Sequence, residues 1–291
     1  MANLDLRPLS LGEILDRTFS IYRAHFLLFV GIAAIPRALI LLLNLAQAWF
    51  IQVPDNPLQP KTTSASFNGG LLASIVVGAI IVLIVYGITY LYSQGAAVNA
   101  VSDIYLGRPA TIAGSFRKMR GHAANLFGVM ILNGLAVFAG FFVFIIGAFY
   151  ATCRLSVTIP AAILEDKGPS DSLSRSWEIT QDNVGRALAI IAMYFAISTA
   201  LVGLFSVPFT AMVLWSAYQK AMGMMRFWTV LSNLGTFVGS TLATPVVTIA
   251  TTVFYYDLRV RKEAFDLQMM MSAVPAVNQP PAAPSLPSPL S

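Results

Sequence analysis

Residues 187–219 read ALAIIAMYFAISTALVGLFSVPFTAMVLWSAYQ, 33 positions without an Asp, Glu, Lys or Arg. A helix crosses the roughly 30 Å hydrocarbon core of a bilayer with about 20 apolar residues, so this stretch is long enough to span. Four further uncharged runs, 38–54, 62–102, 121–153 and 227–256, hold 17, 41, 33 and 30 residues. The whole chain is built alike. Of 291 residues 57% are hydrophobic and 11% charged, with mean hydropathy +0.72, where soluble domains carry about 25% charged residues. The fold class is therefore an all-α integral membrane protein. A secreted disulfide scaffold is excluded by the lone cysteine, Cys153, which has no second thiol to pair with. Disordered and collagen-like chains are excluded by the same composition.

Six transmembrane helices are predicted, at 26–50, 71–93, 123–145, 148–164, 187–208 and 233–256. Asp5, Arg7, Glu13, Asp16, Arg17 and Arg23 interrupt any short apolar core before residue 24, so no cleavable signal peptide is expected and the first span is retained. The segment 121–164 has only Arg154 as a charge, yet its 44 residues are too long for one crossing. It is divided at Gly147; without that turn there are five spans, with the termini on opposite sides. Six spans put Arg7, Arg17, Arg23, Arg108, Arg117, Lys118, Arg120, Lys167, Arg175, Arg186, Arg259, Arg261 and Lys262 on one face. Only Lys61, Lys220 and Arg226 fall on the other. By the positive-inside rule both termini face the cytoplasm of a multi-pass inner-membrane protein. Basic residues flanking membrane helices also account for the pI near 9.4 with no nucleic-acid partner.

Three amphipathic stretches precede the odd-numbered spans and align without gaps. Thr18-Phe19 with Tyr22-Arg23-Ala24-His25 matches Ser115-Phe116 with Met119-Arg120-Gly121-His122, and Arg175-Ser176-Trp177 continues the series in the third. Each reads as an interfacial helix anchored by aromatic and basic side chains: Phe19, Tyr22, Arg23, Phe116, Arg120, Arg175 and Trp177. The expected organisation is a helical membrane domain over 1–271, with parallel repeats 1–106, 107–166 and 167–271, each an interfacial helix followed by two spans. Asp257 to Met271 reads as a separate short cytoplasmic helix. Residues 272–291, with six prolines and no charge, read as a disordered tail.

Two cations fall inside the spans. Arg37 follows Pro36 about 16 Å into the first span, where a charge is unfavourable by at least about 2.5–3.5 kcal/mol unless it faces a partner or a wet cavity. No carboxylate is assigned to any span, so backbone carbonyls are its expected mates. Pro36 has no N–H, which leaves the carbonyl of Ile32 free. Arg154, in the fourth span and nearer its external end, is the second. An anion site for a lipid phosphate or a small phosphate-bearing molecule stands against a purely structural role, in which both arginines snorkel or bond to carbonyls. In the last span Gly235 and Gly239 form a GxxxG, and Thr241, Thr244, Thr248 and Thr251 recur at helical spacing, both read first as close helix packing. His25, His122 and Cys153 lack the convergent donors of a metal site.

Three patches resemble a known family. They are Arg7-Pro8-Leu9-Ser10-Leu11-Gly12-Glu13-Ile14-Leu15-Asp16-Arg17; Arg154-Leu155-Ser156-Val157 with Pro160, Glu165, Gly168 and Arg175-Ser176-Trp177; and Tyr255-Tyr256-Asp257-Leu258-Arg259-Val260-Arg261-Lys262-Glu263. Over about 1–270 the chain resembles the bacterial glycerophosphodiester phosphodiesterase membrane-domain family. The resemblance implies a helical inner-membrane domain; the catalytic barrel fused to some members, with its acidic metal site, has no counterpart in this sequence, so activity does not transfer.

Two functions stay open. One is a non-enzymatic membrane protein that binds or passes lipid or a phosphate-bearing small molecule through Arg37 and Arg154. The other is a structural, partner-binding subunit at the cytoplasmic face, acting with another protein or a second copy. No P-loop, GxGxxG helix start, HExxH or nucleophile elbow is present, so neither enzyme chemistry nor a cofactor nor a metal is expected. A cavity reaching Arg37 would favour the first function; a solid core with a broad apolar outer groove would favour the second.

Overall fold

A computed structural model describes residues 7–50, 69–119, 121–142 and 145–263. Arg120 and the proline-rich segment 272–291 lie outside the described residues. Among those described every regular element is helical: α1 (Leu11–Ala24), α2 (Phe26–Phe50), α3 (Gly69–Tyr105), α4 (Ile112–Lys118), α5 (Ala123–Phe142), α6 (Ile145–Arg154), α7 (Thr158–Leu164), α8 (Pro169–Ile179), α9 (Val184–Tyr218) and α10 (Met222–Glu263). Among the described residues five segments are long and apolar enough to cross a membrane: Phe26–Ala46, Ala124–Phe142, Ile146–Leu164, Val184–Tyr218 and Gly223–Glu263. The second expected span, 71–93, falls within the 37-residue α3. The interfacial stretches become α1, α4 and α8, and α1 starts with a capping box in which Ser10 and Glu13 exchange side-chain and backbone hydrogen bonds.

Several boundaries differ from expectation. The division between the third and fourth spans does not fall at Gly147, which lies inside α6. Gly147 instead presses its carbonyl oxygen against Gly140, where an added Cβ would lie only 2.8 Å away. The fourth span breaks at 155–157 because Pro160 cannot donate a helical hydrogen bond and is tolerated only in the first turn of a new helix, α7. In α9 the uncharged run carries the helix through Pro208 to Tyr218. The last helix does not stop at residue 256: α10 runs on through Asp257 to Glu263, so there is no separate helix starting at Asp257, and 264–271 lie outside the described residues.

The packing is cyclic. α1 packs on α10, α4 on α3 and α8 on α7. The following long helices repeat the rule, α2 lying on α10, α5 on α3 and α9 on α6, while α3, α7 and α10 touch one another pairwise in the middle. Small hydroxyls at the aligned positions Thr18, Ser115 and Ser176 are all buried beneath the short helices. Near the ends of α3, α7 and α10 a carboxylate reaches the next unit. Asp103 pairs with Lys118 at 2.6 Å, Glu165 pairs with Arg175 at 3.1 Å, and Asp257 accepts from the Leu9 N–H at 2.6 Å. Asp257 also binds Arg186 and Arg261, at 2.7 and 3.0 Å, and both arginines donate to the Leu9 carbonyl. Burial pushes the Glu165 carboxyl up, but hydrogen bonds from Lys167, Tyr255 and Arg175 outweigh it and hold its pKa below the usual carboxylate value.

On the far side of the ring α9 and α10 pack along the GxxxG. A Cβ on Gly235 would collide with the Phe205 carbonyl, and one on Gly239 would sit 2.7 Å from the Val202 Cα. Because both obstacles are backbone, Gly235→Ala and Gly239→Ala should each lower unfolding free energy by about 1–3 kcal/mol. Gly223→Ala, with nothing within 4 Å, should be close to neutral; thermal unfolding of the three variants in detergent checks the contrast.

Candidate ligand site at Arg37

The site begins with the proline in α2. Pro36 removes the backbone donor that would satisfy the Ile32 carbonyl. The Ser93 hydroxyl of α3 supplies the missing hydrogen bond at 2.8 Å. Arg37 is therefore released from that duty, and it does not turn to a carbonyl as expected: its guanidinium donates to the Thr244 hydroxyl of α10.

Above that contact lies a cavity of about 230 Å³ lined by Arg37, Ile40, Leu41, Asn44, Tyr86, Asn233, Thr236, Phe237 and Ser240. On α2 the lining positions recur at i, i+3, i+4 and i+7, and on α10 they do the same, so each helix turns one half-polar face to the space. Both faces run away from α1 and from Asp257, placing the cavity toward the end of the bundle opposite the short helices. Tyr86, Tyr90 and Tyr194 stand close enough to Arg37 to interact with it electrostatically. Below Thr244 the polar column continues but closes. Thr248 donates to the Gln94 carbonyl oxygen at 2.5 Å, and the void beside them, about 10 Å³, has room for roughly one water. Farther along α3 and α10 the Ser102 and Tyr256 hydroxyls meet at 2.8 Å, and Arg17 reaches Tyr105 at 3.0 Å.

Residues 126–272 match the family described as the membrane domain of glycerophosphoryl diester phosphodiesterase. The chain belongs to this family. None of the curated proteins and none of the solved structures compared with it matches. The matched segment of this family member holds Arg154 and the α10 wall of the cavity, whereas Arg37, Ser93 and Tyr86 precede it.

The two span arginines are not brought together. Arg154 is 3% exposed, and its guanidinium stacks over the Trp177 ring at 4.4 Å and faces Tyr150 at 5.7 Å. Its Nε has no hydrogen-bond partner among the described residues. Its carbonyl accepts from Ser176 and Thr180 of α8 at 2.8 and 2.9 Å. The sequence placed Arg154 toward the external end of the fourth span; in the structure it is the last residue of α6 and packs against α8.

The expected anchors divide. Arg23 is exposed, Phe19 and Phe116 are half-buried, and Trp177 is half-exposed beneath Arg154. Tyr22 and Arg175 point into the protein, Tyr22 donating to the Leu242 carbonyl at 2.9 Å and Arg175 pairing with Glu165 and Glu263. His122 meets Asp166 at 3.1 Å, Cys153 is buried in the apolar core, and among the described residues no three His, Cys, Asp or Glu side chains converge. Sequence reasoning missed Asn44, Tyr86, Asn233, Thr236 and Ser240. A usable signal was present, because Asn233, Thr236, Ser240 and Thr244 follow one another by three or four residues along α10.

Ser93→Ala should lower stability by about 1–3 kcal/mol, the cost of a buried acceptor left unmet. In a Pro36→Ala background, where the α2 N–H is restored, the same change should cost almost nothing. A double-mutant cycle on thermal unfolding reads that coupling directly.

Proposed function

We propose that this membrane protein is non-enzymatic and binds, or passes, a lipid or a phosphate-bearing small molecule in the space between α2, α3 and α10, with Arg37 as the anion contact. The observation that carries this reading is a cation at mid-helix depth opening on a cavity whose described lining contains no carboxylate. In such a place a guanidinium gains from an incoming anion what it lacks in the resting protein. The lining amides, hydroxyls and single cation offer binding groups but no paired carboxylates or activated nucleophile, which supports the non-enzymatic reading. Arg154, capped by two aromatic rings, serves α8 packing in this scheme.

The cyclic contacts and the buried Thr18, Ser115 and Ser176 support three parallel repeats, 1–106, 107–166 and 167–271, with six crossings of an inner membrane and both termini in the cytoplasm. The second reading, a partner-binding subunit, draws on the α9–α10 hairpin. α9 has 35 residues, about 52 Å at 1.5 Å each, against 20 in α5, and the far end of the hairpin exposes Leu214, Trp215 and Tyr218 of α9 and Phe227 of α10.

Native mass spectrometry of the purified protein separates the two. A monomer that keeps bound phospholipid, loses it at least about tenfold (about 1.4 kcal/mol) with Arg37→Leu and keeps it with Arg154→Leu is the result expected. Lipid retention unchanged by Arg37→Leu, or a stable oligomer without lipid, would overturn the binding reading.

A further inference from the structure

We infer that the Arg37 cavity selects a singly charged amphiphile and rejects doubly charged ones. This rests on the anion site proposed above and names the class of ligand it takes. Among the described lining residues Arg37 is the sole formal charge. In a poorly solvated, membrane-depth space an uncompensated charge is strongly disfavoured, and an ion pair is favourable only when its charges cancel and its remaining polar atoms are satisfied. One negative charge cancels Arg37. A second would stand uncompensated beside Ile40, Leu41 and Phe237.

A phosphate monoester carries about −1.5 to −2 at neutral pH and is the wrong match, whereas a phosphodiester or a carboxylate carries one charge and is the right one. The neutral groups fit the rest of a headgroup. Asn44 and Asn233 offer amide N–H groups and Tyr86 a hydroxyl, all able to meet oxygens that Arg37 leaves free, while Thr236 and Ser240, which donate to the Ser232 and Phe237 carbonyls, present lone pairs to a headgroup hydroxyl. Ile40, Leu41 and Phe237 give the same space an apolar wall, which suits the stem of an amphiphile. The volume, about 230 Å³, is smaller than the roughly 300–1,000 Å³ of sites that enclose a drug-sized molecule. A headgroup therefore enters while its chains stay outside. Thr244, the present partner of Arg37, is neutral, so an incoming anion replaces a neutral acceptor with a charged one that can take the guanidinium bidentately.

The test uses the full chain in detergent with native mass spectrometry as the readout. Phosphatidylglycerol, phosphatidic acid, oleate and deacylated glycerophosphoglycerol are offered at equal concentration. Phosphatidylglycerol should be retained at least about tenfold better than phosphatidic acid. Oleate retained as well as phosphatidylglycerol supports the inference, since charge and not phosphorus is then what is read. Deacylated glycerophosphoglycerol retained equally well overturns the amphiphile part. Two near-isosteric or lining changes leave Arg37 in place and test the charge count without it. Asn233→Asp, which neutralises the cavity, should abolish the preference, and Asn233→Lys should reverse it toward phosphatidic acid. Equal retention of the two phospholipids that still falls with Arg37→Gln would sink the single-charge inference and leave the anion site standing. Retention indifferent to Arg37→Gln removes the anion site itself.

Discussion

The Asp257 carboxylate is wholly buried, and the ring of helices closes on it. It holds the Leu9 N–H, Arg186 and Arg261, while the two arginines take the Leu9 carbonyl in return. One residue near the start of the chain is thus fixed between α9 and α10 by charge-assisted bonds to both its N–H and its carbonyl. Burying a carboxylate is unfavourable unless its lone pairs are met, and here both oxygens are engaged. The clamp sets α1 on α10, and through α1 it sets α2, whose Arg37 must face Thr244.

The other two junctions use the same device with less investment. Asp103 and Glu165 each reach a single basic residue of the next short helix, Lys118 or Arg175, and Glu165 gathers Tyr255 and Lys167 as well. What differs is the space enclosed. At the end that carries the short helices the three inner helices meet through Ala96, Ala100, Ala161, Ile249 and Val253, all fully buried. Farther along α2 and α10, where Asn and Ser replace aliphatic side chains, the packing opens around Arg37.

How much of this is visible in the sequence depends on how far each interaction reaches along the chain. Helices, the close α9–α10 contact through Gly235 and Gly239, and the exceptional position of Arg37 follow from local composition and spacing, and the free Ile32 carbonyl follows from Pro36 alone. The partner of each does not. Arg37 meets Thr244 207 positions away, and Leu9 meets Asp257 248 positions away; neither pairing has a local signature. Arg175 and Tyr22 show a second limit. An amphipathic helix of a given period looks the same whether lipid headgroups or a neighbouring carboxylate cover its basic face, so both read as surface anchors although the fold turns them inward. Arg154 shows a third, since at the end of α6 it stacks on Trp177 of α8, a contact that no spacing within the fourth span announces.

The long reach of these contacts bears on how the protein is made. Ribosomes deliver α2 to the membrane early, with its cation and its bare Ile32 carbonyl already in place. Ser93 arrives one helix later and covers the carbonyl, but Thr244 and Asp257 belong to α10, the last of the described helices. Until α10 inserts, Arg37 has the tyrosines that α3 and α9 bring but no Thr244 to donate to, and α1 lacks the helix it packs on. Among the described helices the earliest to enter the membrane is in this sense the last to be satisfied, and α10 acts as the keystone of assembly.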